Sequence, residues 1–219
     1  MKQLSSYAFC WVLLFFTACS GVKTENWPNG NIKSEITTLH NQRNGPAKYW
    51  YEDGTLQMEC TYKNNRLEGS LIRYYLKGFK EEQQKYKNDS LNGPGLFWDR
   101  LGNLVIETNY LNGKLHGNYR EFYPNKQIKS EGFYIKGNID GQWLYYNEFG
   151  QVIGLGNFHL GNGVQRSFYP ENGKVKILTN YKNNLKEGSE IEYSPEGREI
   201  IARIFSKGNL IEEKTIPAR

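Results

Sequence analysis

A 24-residue period runs through almost the whole chain and limits what it can fold into. One glycine series, interrupted at Lys126, recurs about every 24 residues at Gly30, Gly54, Gly78, Gly102, Gly150, Gly173 and Gly197. A second series lies at Gly45, Gly69, Gly93, Gly117 and Gly141. An aromatic series lies at Tyr62, Tyr86, Tyr110, Tyr134, Phe158, Tyr181 and Phe205. Three series with one period indicate eight copies of one unit, from about Trp27 to about Glu212, the last copy incomplete.

Each copy has the pattern of a β-hairpin. In the second copy, the residues Glu52-Asp53-Gly54 form a turn signal, because glycine tolerates positive φ. Apolar and polar residues then alternate over 56–62, the period of a half-buried strand. Asn64-Asn65 opens a second turn, and a second strand at 71–75 ends in an aromatic pair.

These hairpins must stack, because one isolated 24-residue hairpin is not stable. Stacking pairs each strand with the next and aligns equivalent side chains in rows across the sheet. We therefore predict an all-β fold, an elongated single-layer antiparallel β-meander of about eight hairpin repeats. About fifteen strands at roughly 4.8 Å would make it about 70 Å long. In copy six, Gly161-Asn162-Gly163 comes two residues early, which predicts a shorter hairpin loop there.

The N-terminus has the pattern of a secretion signal. An apolar run at 7–16 follows Lys2 and is too short to span a bilayer. It ends in Thr17-Ala18-Cys19, and small residues directly before a cysteine resemble the lipobox of bacterial lipoproteins. The resemblance implies cleavage before Cys19 and lipidation of its thiol and new amine. Ser20 at the next position favours the outer membrane if the cell has one. An ordinary signal peptide with an incidental cysteine is the alternative.

The chain therefore divides into four predicted parts. Residues 1–18 are the lipoprotein signal peptide, 19–26 a linker after the lipidated cysteine, 27–212 the repeat array and 213–219 a C-terminal tail. Cys60 is then the one cysteine left in the folded part, so we expect no intramolecular disulfide. It lies in an alternating strand and is interpreted as a small buried hydrophobic residue.

The repeat unit resembles a known family. Tyr123-Pro124-Asn125, then 128–132, then Gly141-Gln142-Trp143-Leu144-Tyr145-Tyr146 show its pattern most clearly. This pattern resembles the variant MORN repeat, as found in the YwqK-type family labelled as antitoxins. The resemblance implies glycine-and-aromatic hairpins in an elongated sheet, used for scaffolding, protein contacts or lipid surfaces. It covers nearly all of the mature chain and is informative about architecture rather than about activity.

Composition and spacing argue against catalysis and nucleic-acid binding. A chain with 15% aromatic residues is unlike a disordered one. The net charge of +5 comes from basic residues spread among acidic ones, without the clustered basic face of nucleic-acid binders. The histidines His40, His116 and His159 lie in different copies, and no catalytic or metal-ligand spacing occurs. We therefore expect no enzyme activity, no metal and no cofactor.

The aromatic doublets suggest an interaction surface. Neighbouring residues on a strand point to opposite sides, so one aromatic residue of each doublet faces away from the other. We predict partner binding through the outward members, represented by Tyr75, Trp98, Tyr123 and Tyr146. The alternative is that these rings only stack to hold the sheet together. Glu35, Glu59, Glu107 and Glu131 share one repeat slot, either as an acidic ligand site or as a solvated face.

Three functional hypotheses follow. The leading one is a lipid-anchored, extracytoplasmic, non-enzymatic repeat protein of the bacterial cell envelope that binds a protein partner. The resemblance also allows an antitoxin-like or immunity protein that binds a toxin. The third is a cell-wall or glycan-binding module, since Trp143 and Tyr145-Tyr146 followed by Gly150 also look like choline- and glucan-binding repeats.

Overall fold

The computed structural model describes residues 20–217, which form one open antiparallel sheet. Within that range it contains eighteen strands and no helix. The strands are β1 (Ser20–Asn26), β2 (Ile32–Leu39), β3 (Gln42–Trp50), β4 (Leu56–Lys63), β5 (Arg66–Tyr74), β6 (Lys80–Lys87), β7 (Ser90–Trp98), β8 (Leu104–Leu111), β9 (Lys114–Leu115), β10 (Gly117–Phe122), β11 (Ile128–Ile135), β12 (Asn138–Tyr146), β13 (Val152–His159), β14 (Asn162–Phe168), β15 (Val175–Lys182), β16 (Leu185–Tyr193), β17 (Glu199–Ser206) and β18 (Asn209–Thr215).

The sheet is a continuous meander in which each strand pairs with its neighbours in sequence. β9 and β10 both pair with β8, as two parts of one strand interrupted at His116. β1 pairs with β2, and β18 pairs with β17, so these two strands form the ends of the described sheet. The predicted all-β single-layer meander is confirmed.

The sheet is longer at both ends than we predicted. Residues 20–26, expected to be a linker, form β1 and pair with β2 from Ser20↔Leu39 to Asn26↔Ile32. The strand β18 extends to Thr215, into the segment expected to be a tail. Neither strand carries the aromatic residue of the repeat, and β18 also lacks its glycine. Gly21 in β1 lies 24 residues before Gly45 and continues the second glycine series. The predicted signal peptide and Cys19 lie outside the described residues.

One long edge of the sheet is formed by two-residue turns, and we call it the asparagine edge. Both residues of every turn have positive φ, as in type I′ hairpins, whose twist matches that of the strands. The turns are His40-Asn41, Asn64-Asn65, Asn88-Asp89, Asn112-Gly113, Lys136-Gly137, Leu160-Gly161, Asn183-Asn184 and Lys207-Gly208. Asparagine is frequent because its side chain tolerates this conformation better than most.

The opposite edge is formed by longer turns, and we call it the aromatic edge. In the first of these turns, Gly30 N donates to Trp27 O at 2.9 Å, and Gly30 has a φ of 90°. This is a type I turn closed by a residue in the left-handed region. Glycines of the first series occupy this position in the other turns of this edge, except that Lys126 takes it in one turn with a φ of 68°. Gly173 closes a turn that is one residue longer, in which Gly173 N donates to Tyr169 O. The period of this series therefore reflects a backbone requirement.

The second glycine series lies in β-bulges. Between β2 and β3, Ile36 pairs with Ala47 and Thr38 with Arg43, so β3 carries two extra residues around Gly45. Such bulges leave residues unpaired and increase the local twist. Gly45 adopts a φ of 116° within the bulge.

Copy six lacks this bulge, so the prediction of a shorter loop there is wrong. Its Leu160-Gly161 turn has the usual two residues, and β13 pairs with β14 without a register shift. β14 is seven residues long where β12 has nine. A missing bulge shortens the copy by the same number of residues as a shorter loop would. Only the strand pairing in the structure distinguishes the two.

The first face of the sheet, defined by Ala47, Cys60 and Leu71, carries the buried core. These residues pair directly in a row that runs from Ile36 to Thr108. The thiol of Cys60 is buried and free, as predicted, and burial raises its pKa despite a hydrogen bond from the Tyr62 hydroxyl. Few residues are fully buried, because a single layer has no second layer to cover it.

Candidate interaction surfaces

The first face is covered by aromatic rings that lie against the sheet. The predicted aromatic series from Tyr62 to Phe205 lies on this face, because Tyr62 is two residues from Cys60 and the copies repeat that spacing. The Trp143 indole lies over Gly132, where an added Cβ would be 2.2 Å from the ring. Phe158 covers Gly156 in the same way. Rings therefore occupy the place that a second layer would take.

The densest part of this covering is the cluster of Tyr119, Tyr134 and Trp143. Their ring centroids are 5.1 to 5.7 Å apart, in edge and tilted arrangements that aromatic pairs prefer. Trp143 Nε1 donates to Phe133 O at 3.2 Å. Burial raises the pKa of Tyr119 to about 12, so its phenol stays neutral. This cluster stabilises the middle of the sheet.

At its C-terminal end the first face becomes polar. Thr179, Glu190, Arg203 and Glu213 pair directly across four strands. Burial opposes ionisation of Glu190, but hydrogen bonds from Lys186 and Thr179 and the charge of Arg203 outweigh it, so the pKa of Glu190 is lowered. Each charge has an opposite partner, so this group serves the fold.

The four residues predicted to bind a partner all lie near the aromatic edge and are half-buried. They form two bonded pairs: Tyr75 Oη donates to Trp98 O at 2.9 Å, and Tyr123 Oη donates to Tyr146 O at 2.8 Å. Tyr75 and Tyr123 are turn residues, and each joins its repeat to the next. The four predicted residues therefore occupy two different positions of the repeat unit, Tyr75 and Tyr123 one and Trp98 and Tyr146 the other. They do not form one row across the sheet.

Trp98 and Tyr146 belong to a second row, which sequence reasoning missed. Tyr146 Oη donates to Glu131 at 2.8 Å and Tyr74 Oη donates to Glu59 at 2.7 Å, which places this row on the second face of the sheet. It carries one half-buried aromatic residue in each repeat: Trp50, Tyr74, Trp98, Phe122, Tyr146, Phe168 and Tyr193. Consecutive members are two strands apart, or about 9.6 Å. We call it the second-face row.

The shared glutamate slot is not an acidic ladder. Lys48 lies directly opposite both Glu35 and Glu59. Arg120 lies between Glu107 and Glu131, with nitrogen–oxygen distances of 3.8 and 3.3 Å. The partly exposed ion pairs neutralise the slot and contribute little to stability.

Within residues 20–217 no group of three or more histidine, cysteine or acidic residues could hold a metal ion. No helix in that range is long and apolar enough to cross a membrane.

The geometry defines a class, a β-repeat protein built from stacked hairpins. Four segments match the family model described as the MORN repeat variant, at residues 20–40, 43–64, 115–136 and 162–183. The first segment covers β1 and β2, with the aromatic-edge turn between them. These four segments are similar to the MORN repeat variant, and the hairpins between them have the same construction.

Other comparisons add little. No curated protein matches the chain. Among solved structures, the crystal structure of TcdB2-TccC3-TEV aligns with 90% of this chain at 14% sequence identity and a TM-score of 0.24. This chain spans 11% of the length of that one.

Proposed function

We propose that this protein is a non-enzymatic, lipid-anchored scaffold of the bacterial cell envelope that binds a protein partner. The observation that carries the proposal is the second-face row, in which every repeat presents a half-buried aromatic residue on a sheet without a covering layer. Contiguous exposed aromatic surface is typical of interaction sites. The MORN repeat variant supports a binding or scaffolding role.

The position of β1 supports an orientation for the anchored protein. Ser20 pairs with Leu39, which precedes the His40-Asn41 turn on the asparagine edge. Since Cys19 directly precedes Ser20, a lipid on Cys19 would be attached at that edge. The aromatic edge would then be one strand length away from the attachment point, roughly 25 Å. This arrangement leaves the aromatic edge and both faces accessible to a partner.

The anchor and the binding surface can be tested in one set of variants. Cys19→Ser should move the protein from the membrane fraction to the soluble fraction, because it removes the thiol that carries the lipid. Trp98→Ser should reduce partner capture from solubilised membranes at least several-fold while the thermal melt changes little, because the ring is only half-buried. Phe149→Ser, at an exposed turn away from the second-face row, is the control.

Three outcomes would contradict the proposal. Cys19→Ser protein that stays with membranes at wild-type levels would exclude a lipid anchor. A Trp98→Ser variant that unfolds would assign the second-face row to structure, and undiminished capture by the folded variant would exclude the row as the binding surface. If the captured partner is a toxin, the antitoxin-like or immunity role is the correct form of the binding function.

The second-face row also favours one other candidate, a glycan-binding module. Aromatic rings at a regular spacing of about 9.6 Å suit a ligand with its own repeat, such as a cell-wall polysaccharide chain. Retention on purified cell-wall glycan that is lost in Trp98→Ser would favour this role over protein binding.

A further inference from the structure

Two neighbouring turns of the aromatic edge depart from the pattern of the others. Their central residues are Leu76-Lys77 and Arg100-Leu101, so each turn pairs a leucine with a cation. The remaining turns with the same spacing have Pro28-Asn29, Glu52-Asp53, Pro124-Asn125, Glu148-Phe149 and Pro195-Glu196. Leu76 is 57% exposed and Leu101 is 79% exposed, so neither leucine contributes to a core. Every copy of a repeat has the same structural requirements at this turn. Turn residues that differ from the other copies in two adjacent copies therefore indicate a function beyond folding.

The two turns converge on one groove, which we call the turn groove. It has a volume of about 600 Å³, with Tyr51 and Tyr75 as its aromatic lining and Leu76 and Leu101 beside them. Both tyrosines are held in place, since Tyr51 Oη donates to Tyr74 O and Tyr75 Oη to Trp98 O, each at 2.9 Å. The groove is therefore preorganised, which reduces the entropy lost on binding.

The charges around the turn groove favour an acidic ligand. Lys77 and Arg100 line it, and neither takes part in an ion pair among the described residues 20–217. Glu81 is the one carboxylate in the lining. Asp99 is engaged within its own turn, where it accepts hydrogen bonds from Leu101 N, Asn103 N and Asn103 Nδ2. Two cations thus face one free carboxylate beside an apolar surface.

We propose that the turn groove binds a segment of a protein partner in which a large apolar side chain is flanked by carboxylates. The inference rests on the protein-binding function proposed above and adds the site and the chemistry of the bound segment. The apolar side chain would pack between the two leucines and the tyrosine rings, and the carboxylates would pair with Lys77 and Arg100. An anionic lipid surface fits less well, because the site is concave and includes Glu81.

The probe for this proposal is a bead-displayed library of random octapeptides, presented to the full chain in detergent. Peptides enriched by the wild-type protein should carry Phe, Leu or Trp next to Asp or Glu. The Leu76→Ser/Leu101→Ser variant should bind the enriched peptides at least tenfold more weakly, with an unchanged thermal melt because both leucines are exposed. Phe149→Ser, 86% exposed on another turn, should bind them like wild type.

Charge reversal provides a second, independent readout. Lys77→Glu/Arg100→Glu should lose the acidic peptides and select basic ones instead. The proposal is overturned if no peptide class is enriched, if the leucine and Phe149 variants lose binding equally, or if charge reversal leaves the selection unchanged. Leucine-dependent binding to anionic phospholipid vesicles without peptide selection would identify a membrane contact instead. Loss of capture by Trp98→Ser alone concerns the second-face row and is distinguishable from all of these results.

Discussion

We expect deletion of residues 78–101 to leave a folded, shorter protein and deletion of residues 78–89 to unfold it. The longer deletion removes one whole period, β6 and β7, and joins Lys77 to Gly102, which restores an aromatic-edge turn. The shorter deletion removes β6 alone and would place β5 beside β7, two strands that run in the same direction. Because each repeat contacts only its neighbours, the 24-residue deletion removes the stabilising contacts of one repeat and leaves those of the other repeats in place. We expect it to lower the melting temperature by roughly 5–10 °C.

Circular dichroism melts of the two deletion variants check this prediction. The 24-residue deletion should retain a cooperative transition and the β-sheet spectrum, and the 12-residue deletion should have neither. Equal damage from both deletions would contradict the repeat register. Deletion of residues 126–149 removes a repeat of the same length in the other half of the sheet. It is the matched control that shows whether the effect depends on which repeat is removed.

We expect Gly132→Ala to destabilise the protein by about 3 kcal/mol, the upper part of the range for overpacking. The Cβ of an alanine there would be 2.2 Å from the Trp143 ring, which is held by Tyr119 and Tyr134 and by the bond to Phe133 O. The ring cannot move without breaking the densest aromatic cluster. For a chain of this size the melting temperature should fall by roughly 6–12 °C.

Gly21→Ala is the matched control for this substitution. Gly21 is also a strand glycine without positive φ, and the nearest atom to an added Cβ is Thr38 Oγ1 at 3.9 Å. Its effect should stay within about 0.5 kcal/mol. In the Gly132→Ala background, Trp143→Leu should cost less than it does in wild type, since the two residues are in contact. Equal effects at Gly132 and Gly21 would show that the indole does not lie on the sheet.

The architecture was predictable from the sequence because it depends on local backbone requirements. The Gly54 turn position and the Asn64-Asn65 turn both need positive φ, so residue type reports conformation directly. The end strands were predictable only in part, because Gly21 lies 24 residues before Gly45 but neither end strand has the aromatic residue of the repeat. β1 is held by pairing with β2, which needs no particular residue type, and the missing bulge of copy six has the same residue count as a shorter loop.

The interaction surfaces were only partly predictable. The 24-residue spacing of Trp50, Tyr74, Trp98, Phe122 and Tyr146 is visible in the sequence and could have identified the second-face row. The aromatic doublets concealed it, because they combine this position with the turn position of Tyr75 and Tyr123. The hydrogen bonds from those tyrosines to the following repeat depend on strand spacing, as does the convergence of Leu76 and Leu101 on one groove.

Small-angle neutron scattering of the full chain in contrast-matched detergent tests most directly whether the chain forms a single-layer ribbon, with no second layer over either face. With β9 and β10 sharing one position, the sheet should extend about 80 Å at roughly 4.8 Å per strand. We expect a radius of gyration above about 20 Å, since a ribbon of that length cannot be more compact. A value near 17 Å, which is about that of a compact globular domain of this length, would contradict it.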